Sequence, residues 1–278
     1  DGSVHAYSLP LTAAVMTFFR TQDGVLAEQK VRQALVRATD TASILDSLDY
    51  ATQPVRQPLL HGQLGYNPAY HQANYDIAAA KQILASDGWL PGKNGILTKG
   101  STPLSFTLYY LDGGEYASVA KQLAAQWKLV GADAKLTPQS ETEFQTVLAS
   151  APSPAYHSYD ALLYGISIGV DPDVYIYWDS SQIDLRSPVR LNFSEYKSKT
   201  ADEALESGRT RLDPALRVAK YQPFLGAWQA DAPALGLYQP RFLYLTHGPV
   251  YGLEEKAINS DVQRYSMVHD WQIRETRQ

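Results

Sequence analysis

The stretch Asn74-Tyr-Asp-Ile-Ala-Ala-Ala-Lys-Gln-Ile-Leu-Ala-Ser-Asp-Gly-Trp89 decides how this chain is read. Asp76 suits a helix N-cap, because its carboxylate can accept from the free backbone N–H groups of the first turn. Ala79, Ile83 and Leu84 share one helical face. Gly88 supplies the stop, since glycine reaches the left-handed conformation without a Cβ clash. Trp89 can fold back as an apolar anchor. A capped helix ending in Gly-Trp is common, and its neighbours along the chain give this one its meaning.

Working outward, Ala27 to Thr39 reads as a helix with Val31, Leu35 and Ala38 on one face. Ala51 to Asn74, rich in Pro, Gly and Gln, reads as a long ordered loop. Gly92 to Thr102 carries hairpin or loop chemistry. Leu104 to Tyr110 alternates like a strand. Glu115 to Val130 is an amphipathic helix with Val119, Leu123, Ala124 and Trp127 as its stripe, and Ala132 to Thr137 is a second strand. That order predicts a parallel βαβ unit. Glu141 to Leu148 reads as a short helix and Tyr159 to Tyr164 as a buried strand. Helices follow over Ala201–Arg211 and Ala215–Ala230, the latter started by Asp213-Pro214. Leu235–Tyr238 and Phe242–Thr246 are late strands. Val4 to Phe19, apolar and interrupted by Pro10, suits one extended segment. The fold class is α/β.

Composition bounds the function. A chain of 278 residues can bury a large core. Its net charge of -5 argues against a nucleic-acid surface, which needs basic groups for phosphate contact. No apolar run approaches about 18 residues, so no membrane insertion is expected in this segment. With Cys 0, disulfides and thiolate metal sites are excluded. His5, His61, His71, His157, His247 and His269 are scattered without zinc-site spacing. Gly92-Lys93-Asn94 is no phosphate loop, and no dinucleotide fingerprint follows a strand. No cofactor and no metal are expected.

Several constellations could carry chemistry. Gly165-Ile166-Ser167-Ile168-Gly169 matches a nucleophile elbow, with Ser167 as nucleophile and His247 or His269 as partner. Against this, Val170-Asp171-Pro172-Asp173 follows where a helix should begin. The same residues also suit a glycine-flanked loop leaving a strand. Asp171 and Asp173 read as an acid pair or as turn and cap residues. Trp178 can stack on a ligand or fill the core. Asn192 can bond at a cleft edge or shape a loop.

Lys30 to Leu45, Asn94-Gly95-Ile96-Leu97, Pro103 to Leu108, Asp171-Pro172-Asp173, Trp178 to Gln182 and Asn192-Phe193-Ser194 recur in an order that resembles another group. It is the family 5 extracellular solute-binding proteins, the dipeptide and oligopeptide receptors of ABC importers. The resemblance covers roughly residues 4 to 240. It implies a lobe of the periplasmic-binding-protein type II, peptide-receptor class, in a fragment of a two-lobed receptor. Residues 1–20 would cross between lobes, 21–232 form the second lobe, and 233–278 return toward a first lobe. Tyr244, Leu245, Val250 and Tyr251 on that return would then expose apolar surface. The receptor captures an extracytoplasmic solute, by expectation a peptide, through hinge closure and delivers it to a membrane permease. The protein would lie in the periplasm or on the cell surface as a lipoprotein, with its leader outside this chain. Tyr164, Gly165, Ile166, Ser167, Ile168, Gly169, Asp171, Asp173, Trp178 and Asn192 would line the ligand site, with no catalytic residue. The family's carboxylate for a ligand α-amino group is missing from Ile166–Val170. A blocked or longer peptide, a sugar or another small solute is therefore expected. A serine hydrolase using Ser167, or a protein-interaction module, is the alternative.

Overall fold

The computed structural model of the chain describes residues 4–50, 52–150, 159–183 and 190–273. His157 and the outermost residues of both terminal spans lie outside them. β1 (Val4–Pro10) and β2 (Ala13–Phe19) open the chain, followed by α1 (Gln29–Arg37), α2 (Thr41–Asp46), β3 (Gln53–Pro54) and α3 (Ile77–Ser86). β4 (Leu90–Pro91), β5 (Leu97–Lys99) and β6 (Thr102–Pro103) form a small antiparallel sheet. Then come β7 (Ser105–Leu111), α4 (Gly114–Lys128), β8 (Asp133–Gln139), α5 (Glu141–Ser150), β9 (Ala161–Ser167) and α6 (Tyr175–Trp178). α7 (Lys199–Arg209), α8 (Pro214–Asp231), β10 (Ala234–Gln239) and β11 (Arg241–His247) complete the regular elements.

The local signals act as read. Asp76 accepts from the Ala79 N–H at 2.9 Å. At the other end of α3 the Trp89 N–H reaches Leu84 O at 3.0 Å and the Gly88 N–H reaches Ala85 O at 3.1 Å. These paired bonds, with Gly88 at φ 88, form a Schellman closure. Its apolar partner contact is present too, because Leu84 and Trp89 are buried in one cluster. Asp213 caps α8 with Pro214 in its first turn. Ser140 and Glu143 cap α5 reciprocally.

The main sheet has six strands in the order β3-β10-β2-β9-β7-β8. β7 pairs parallel with β8 and with β9, which gives the expected βαβ unit through α4. β2 runs antiparallel to both β9 and β10. Alternate side chains of each strand face opposite layers. Val15, Phe106, Leu108 and Leu163 pack with α1, α3 and α4 on one face. Ala14, Met16, Phe18 and Leu162 pack with α5 to α8 on the other. Burial on both faces explains the continuous apolar runs Ala13–Phe19 and Ala234–Tyr238.

Val4–Phe19 is extended, as expected, but divided into two strands. β1 pairs with β11 in a separate two-stranded ribbon, while β2 lies inside the main sheet. The expected boundaries at 20 and 233 cut through the sheet, because β2 and β10 are its adjacent inner strands. The ribbon meets the main sheet near Pro10 and Pro240, where the Leu11 N–H bonds Pro240 O at 2.9 Å.

Two buried polar groups join distant segments. Gly236 approaches the 53–56 segment so closely that a Cβ would stand 2.5 Å from Val55 O. The Gln72 side-chain amide bonds both the Gly236 C=O and N–H, at 2.9 and 2.8 Å. Arg32, 5% exposed, donates to the carbonyls of Leu26, Ala27, Asp231 and Ala232. It thereby closes the C-terminus of α8, where Ala232 takes a left-handed φ of 47. Burial pushes its guanidinium down to about 10, still protonated at neutral pH.

Candidate functional site

The parallel strands β7, β8 and β9 end at Leu111, Gln139 and Ser167, and the ribbon leaves the sheet at this same end. Ligands of α/β sheets bind outside the carboxyl ends of such strands. Here β9 outruns its neighbour. β7 pairs only with Ala161 to Leu163, whereas β2 pairs as far as Ser167. The Arg20 N–H bonds Asp160 O and the Ile168 N–H bonds Thr12 O. Alternation then turns the even-numbered residues of β9 toward β2. Gly165 C=O and Ser167 N–H point the other way, into the space beyond the end of β7.

The segment 165–169 is thus a strand end rather than the expected loop, because Gly165, Ile166 and Ser167 pair with Val15, Ala14 and Ala13. Ile166 and Ile168 are buried in the core. The Gly169 N–H bonds Thr12 O, and its carbonyl accepts from Gln63. Tyr164 is half-buried between Phe144 and Phe193, with ring centroids at 5.2 and 5.6 Å. Ser167 is exposed, and its hydroxyl donates to Asn259 Oδ1 at 3.3 Å. The next helix starts only at Tyr175, so the strand–turn–helix of a nucleophile elbow is not formed.

Four other residues stand apart from the strand end. Asp171 pairs with Arg217 at 2.5 Å, and Asp173 pairs with Arg209 at 2.8 Å. Trp178 is 0% exposed, packed 5.7 Å from Phe18 and 5.9 Å from Trp228. Asn192 is fully buried and ties the 192–196 turn, donating to Asp179 O and Tyr196 O and accepting from the Tyr196 N–H. Both are core residues in this structure, where their large or multiply bonded side chains gain most from burial. Among the described residues no three His, Cys, Asp or Glu side chains are grouped to hold a metal.

The strand end has neighbours that the linear reading missed. The Tyr116 hydroxyl stands 2.8 Å from where a Gly165 Cβ would be, so glycine is what leaves it room. Glu115 accepts from Tyr50 at 2.5 Å on one carboxylate oxygen and from Tyr238 at 2.6 Å on the other. Tyr238 and Gly165 both pair with Val15, which puts this cluster across the same row of the sheet. Burial first, and the Glu115 charge second, push the Tyr116 hydroxyl up to about 12. Burial first, and the hydrogen bond to Glu115 second, raise Tyr50 and Tyr238 further. All three stay neutral donors at physiological pH. Tyr50 also lines a cavity of 630 Å³ between α2 and the segments 52–56 and 72–75. The available signal was Glu115-Tyr116 directly after Gly113-Gly114, at the end of a parallel strand.

A six-stranded α/β sheet with a protruding strand end, a tyrosine cluster over it and a ribbon departing beside it is a fold of the periplasmic-binding-protein class. The chain belongs to the bacterial extracellular solute-binding proteins, family 5 Middle, which it matches over residues 2–184. It is 30% identical over 233 residues to Protein XP55 of Streptomyces lividans, covering 80% of this chain and 38% of that protein. It is 28% identical over 218 residues to the oligopeptide-binding protein AppA of Bacillus subtilis, covering 77% and 39%. NikZ of Campylobacter jejuni, solved with Ni(L-His), superposes with a TM-score of 0.80 at 22% identity, covering 98% of this chain and 54% of that one. Bacillus subtilis AppA with a nonapeptide gives 0.79 at 24%, covering 98% and 53%. These structural likenesses carry the fold. The chain spans about two-fifths of the curated relatives' length and about half that of the solved chains.

Proposed function

We propose that this chain is the second lobe of the substrate-binding component of a peptide-type ABC importer. The receptor takes up an extracytoplasmic solute between two lobes, closes, and delivers it to the permease, with no catalytic step. The observation that carries this reading is the end of β9. Gly165 and Ser167 direct backbone groups past the end of β7, where an extended peptide can add as a strand. A nonapeptide bound to an AppA of the same fold agrees with an extended ligand. This reading uses Tyr164, Gly165 and Ser167 of the expected site, while Asp171 and Asp173 are engaged by Arg217 and Arg209.

The first lobe would cover the ribbon. Leu243, Leu245 and Tyr251 are 58%, 56% and 42% exposed, and Val262, Val268 and Ile273 beyond them are exposed as well. Tyr244 and Val250 are instead half-buried, the former against Trp271 and the latter bonded to the Tyr7 hydroxyl. The spans 4–10 and 241–273 accordingly form the lobe-to-lobe side, and 13–239 the lobe itself. Closure follows from differential contact: a ligand touching both lobes stabilises the closed form over the open one.

A thermal-shift titration of the full-length receptor tests this. Extended peptides of mixed sequence should raise Tm with concentration, as mass action requires. A response to oligosaccharides alone, or to no solute, would refute the peptide reading.

A further inference from the structure

We propose that the cavity where α1, α8 and the segment 71–74 meet is a second ligand site, built for the phosphate group of a small organic molecule. It is separate from the strand end. Ser167 pairs with Ala13, whereas Ala234, which lines the cavity, pairs with Phe18 at the other end of β2. At about 3.3 Å per residue, the two places lie about 16 Å apart along that strand.

The cavity measures 530 Å³, a size suited to a small molecule. Its charge has one sign. Lys30, Arg37 and His71 line it, and no aspartate or glutamate does. Arg37 is half-buried, and neither it nor Lys30 makes an ion pair among the described residues. Carboxylates on the flanking elements are engaged elsewhere. Asp87 pairs with Lys99, Asp231 accepts from Gln29 and Tyr196, and Asp76 accepts from the Ala79 N–H. Arg56 stands behind His71, with Nη2 3.3 Å from Nδ1, and its other partners, Gln72 O and Asn74 Oδ1, are neutral. Three cations thus gather without a counterion in a chain of net charge -5, and such a field draws an anion. A phosphate monoester carries about two negative charges at neutral pH, which Lys30 and Arg37 match. The planar fork of arginine also fits phosphate oxygens.

Two further donors belong to the same wall. Trp228 lines the cavity and is 1% exposed, yet its indole N–H has no acceptor. A buried donor left unpaired is costly, and a phosphate oxygen would satisfy it. The backbone of Ala234 supplies the other. Gly236 turns its N–H and C=O to Gln72, away from β2, while Pro233 O accepts from Phe19 on the β2 side. Alternation therefore turns the Ala234 N–H and C=O away from β2 as well, toward the cavity. The N–H suits a phosphate oxygen and the C=O a hydroxyl of the same molecule.

Calorimetric titration of the full-length receptor with glycerol 3-phosphate, and with glycerol as its uncharged twin, tests this. A lipid head group carries the same chemistry, so co-sedimentation with phosphatidylcholine vesicles, with and without phosphatidate, runs beside it. The wild type should bind glycerol 3-phosphate and not glycerol. K30Q/R37Q should weaken that binding at least about tenfold, the loss expected when charged donors are removed. Neither side chain has an ion-pair partner, so this variant should melt close to wild type. Trp228→Phe, which keeps an aromatic ring and removes the N–H, should weaken binding about threefold or more. Binding to phosphatidate vesicles alone, lost in K30Q/R37Q, would support the site and make a lipid the source of the phosphate. Binding to neither probe, or equal binding by wild type and K30Q/R37Q, overturns the site whatever the response to peptides.

Discussion

Replacing Arg32 tests whether a buried cation holds this lobe together. Its guanidinium reaches four carbonyls, two at the end of α8 and two in the turn before α1. Hydrogen bonds from a charged donor contribute about 1.5–3 kcal/mol each. Taking the lower figure, four such carbonyls give about 6 kcal/mol. Burial acts against the charge, and a pKa lowered from 12.5 to about 10 corresponds to about 3 kcal/mol. The net is about 3 kcal/mol. Arg32→Met keeps most of the volume, removes every donor and leaves Ala232 in its left-handed conformation unsupported. Equilibrium urea denaturation followed by circular dichroism should show a lower midpoint, an unchanged m-value and a loss of about 3 kcal/mol. Arg32→Lys, with a point charge and no fork, should lose about half as much. A loss below about 1 kcal/mol for Met would refute the reasoning, because desolvation would then cancel the bonds, as it does for some buried ion pairs.

Three other outcomes follow from the same packing. Trp178→Ala should lower stability by about 3–5 kcal/mol and weaken all ligands alike; a selective loss for aromatic ligands would return Trp178 to the cleft. Gly236→Ala drives a Cβ against Val55 O and parts Gln72 from the strand, so a loss of about 2–3 kcal/mol is expected in denaturant; an unchanged midpoint would mean that the 53–56 segment yields freely. Stability should also fall in alkali. Tyr116 ionises near 10 unfolded and about 12 folded, so above pH 10 the unfolded chain holds fewer protons than the native one. The stabilisation is complete below pH 10 and is lost as pH rises through about 12. A Tm that stays level from pH 9.5 to 11.5 would contradict this.

What the sequence revealed was local. Asp76, Gly88, Asp213 and the alternation of Ser105–Leu111 act within a few residues, so their readings survive folding. The placement of β2 did not show, because an apolar heptapeptide reads the same in a crossing segment as in the middle of a sheet. Its partners lie near residues 165 and 236, and only the folded chain brings them together. The site divided in the same way. Gly165 and Ser167 could be singled out from their motif neighbourhood, and the structure puts them at the protruding end of β9. Trp178 and Asn192 each had two readings, because residue type does not tell a ligand platform from a core filler, and the structure buries both. The bond between Glu115 and Tyr238 spans 123 positions and leaves no spacing to find.

The amide of Gln72 has a consequence for association between molecules. An open sheet presents rows of unpaired N–H and C=O groups that can template another chain. On the β10 side, β3, the Val55 N–H and the Gln72 amide occupy that row from Gly236 to Gln239. On the far side, β8 carries Lys135 and Pro138, a charge and a residue with no N–H to offer. Both flanks of the sheet are thereby blunted against self-pairing. The end of β9 differs, since its backbone groups point past the end of β7, and under the proposed function this is where an extended ligand, rather than another copy of the chain, would add.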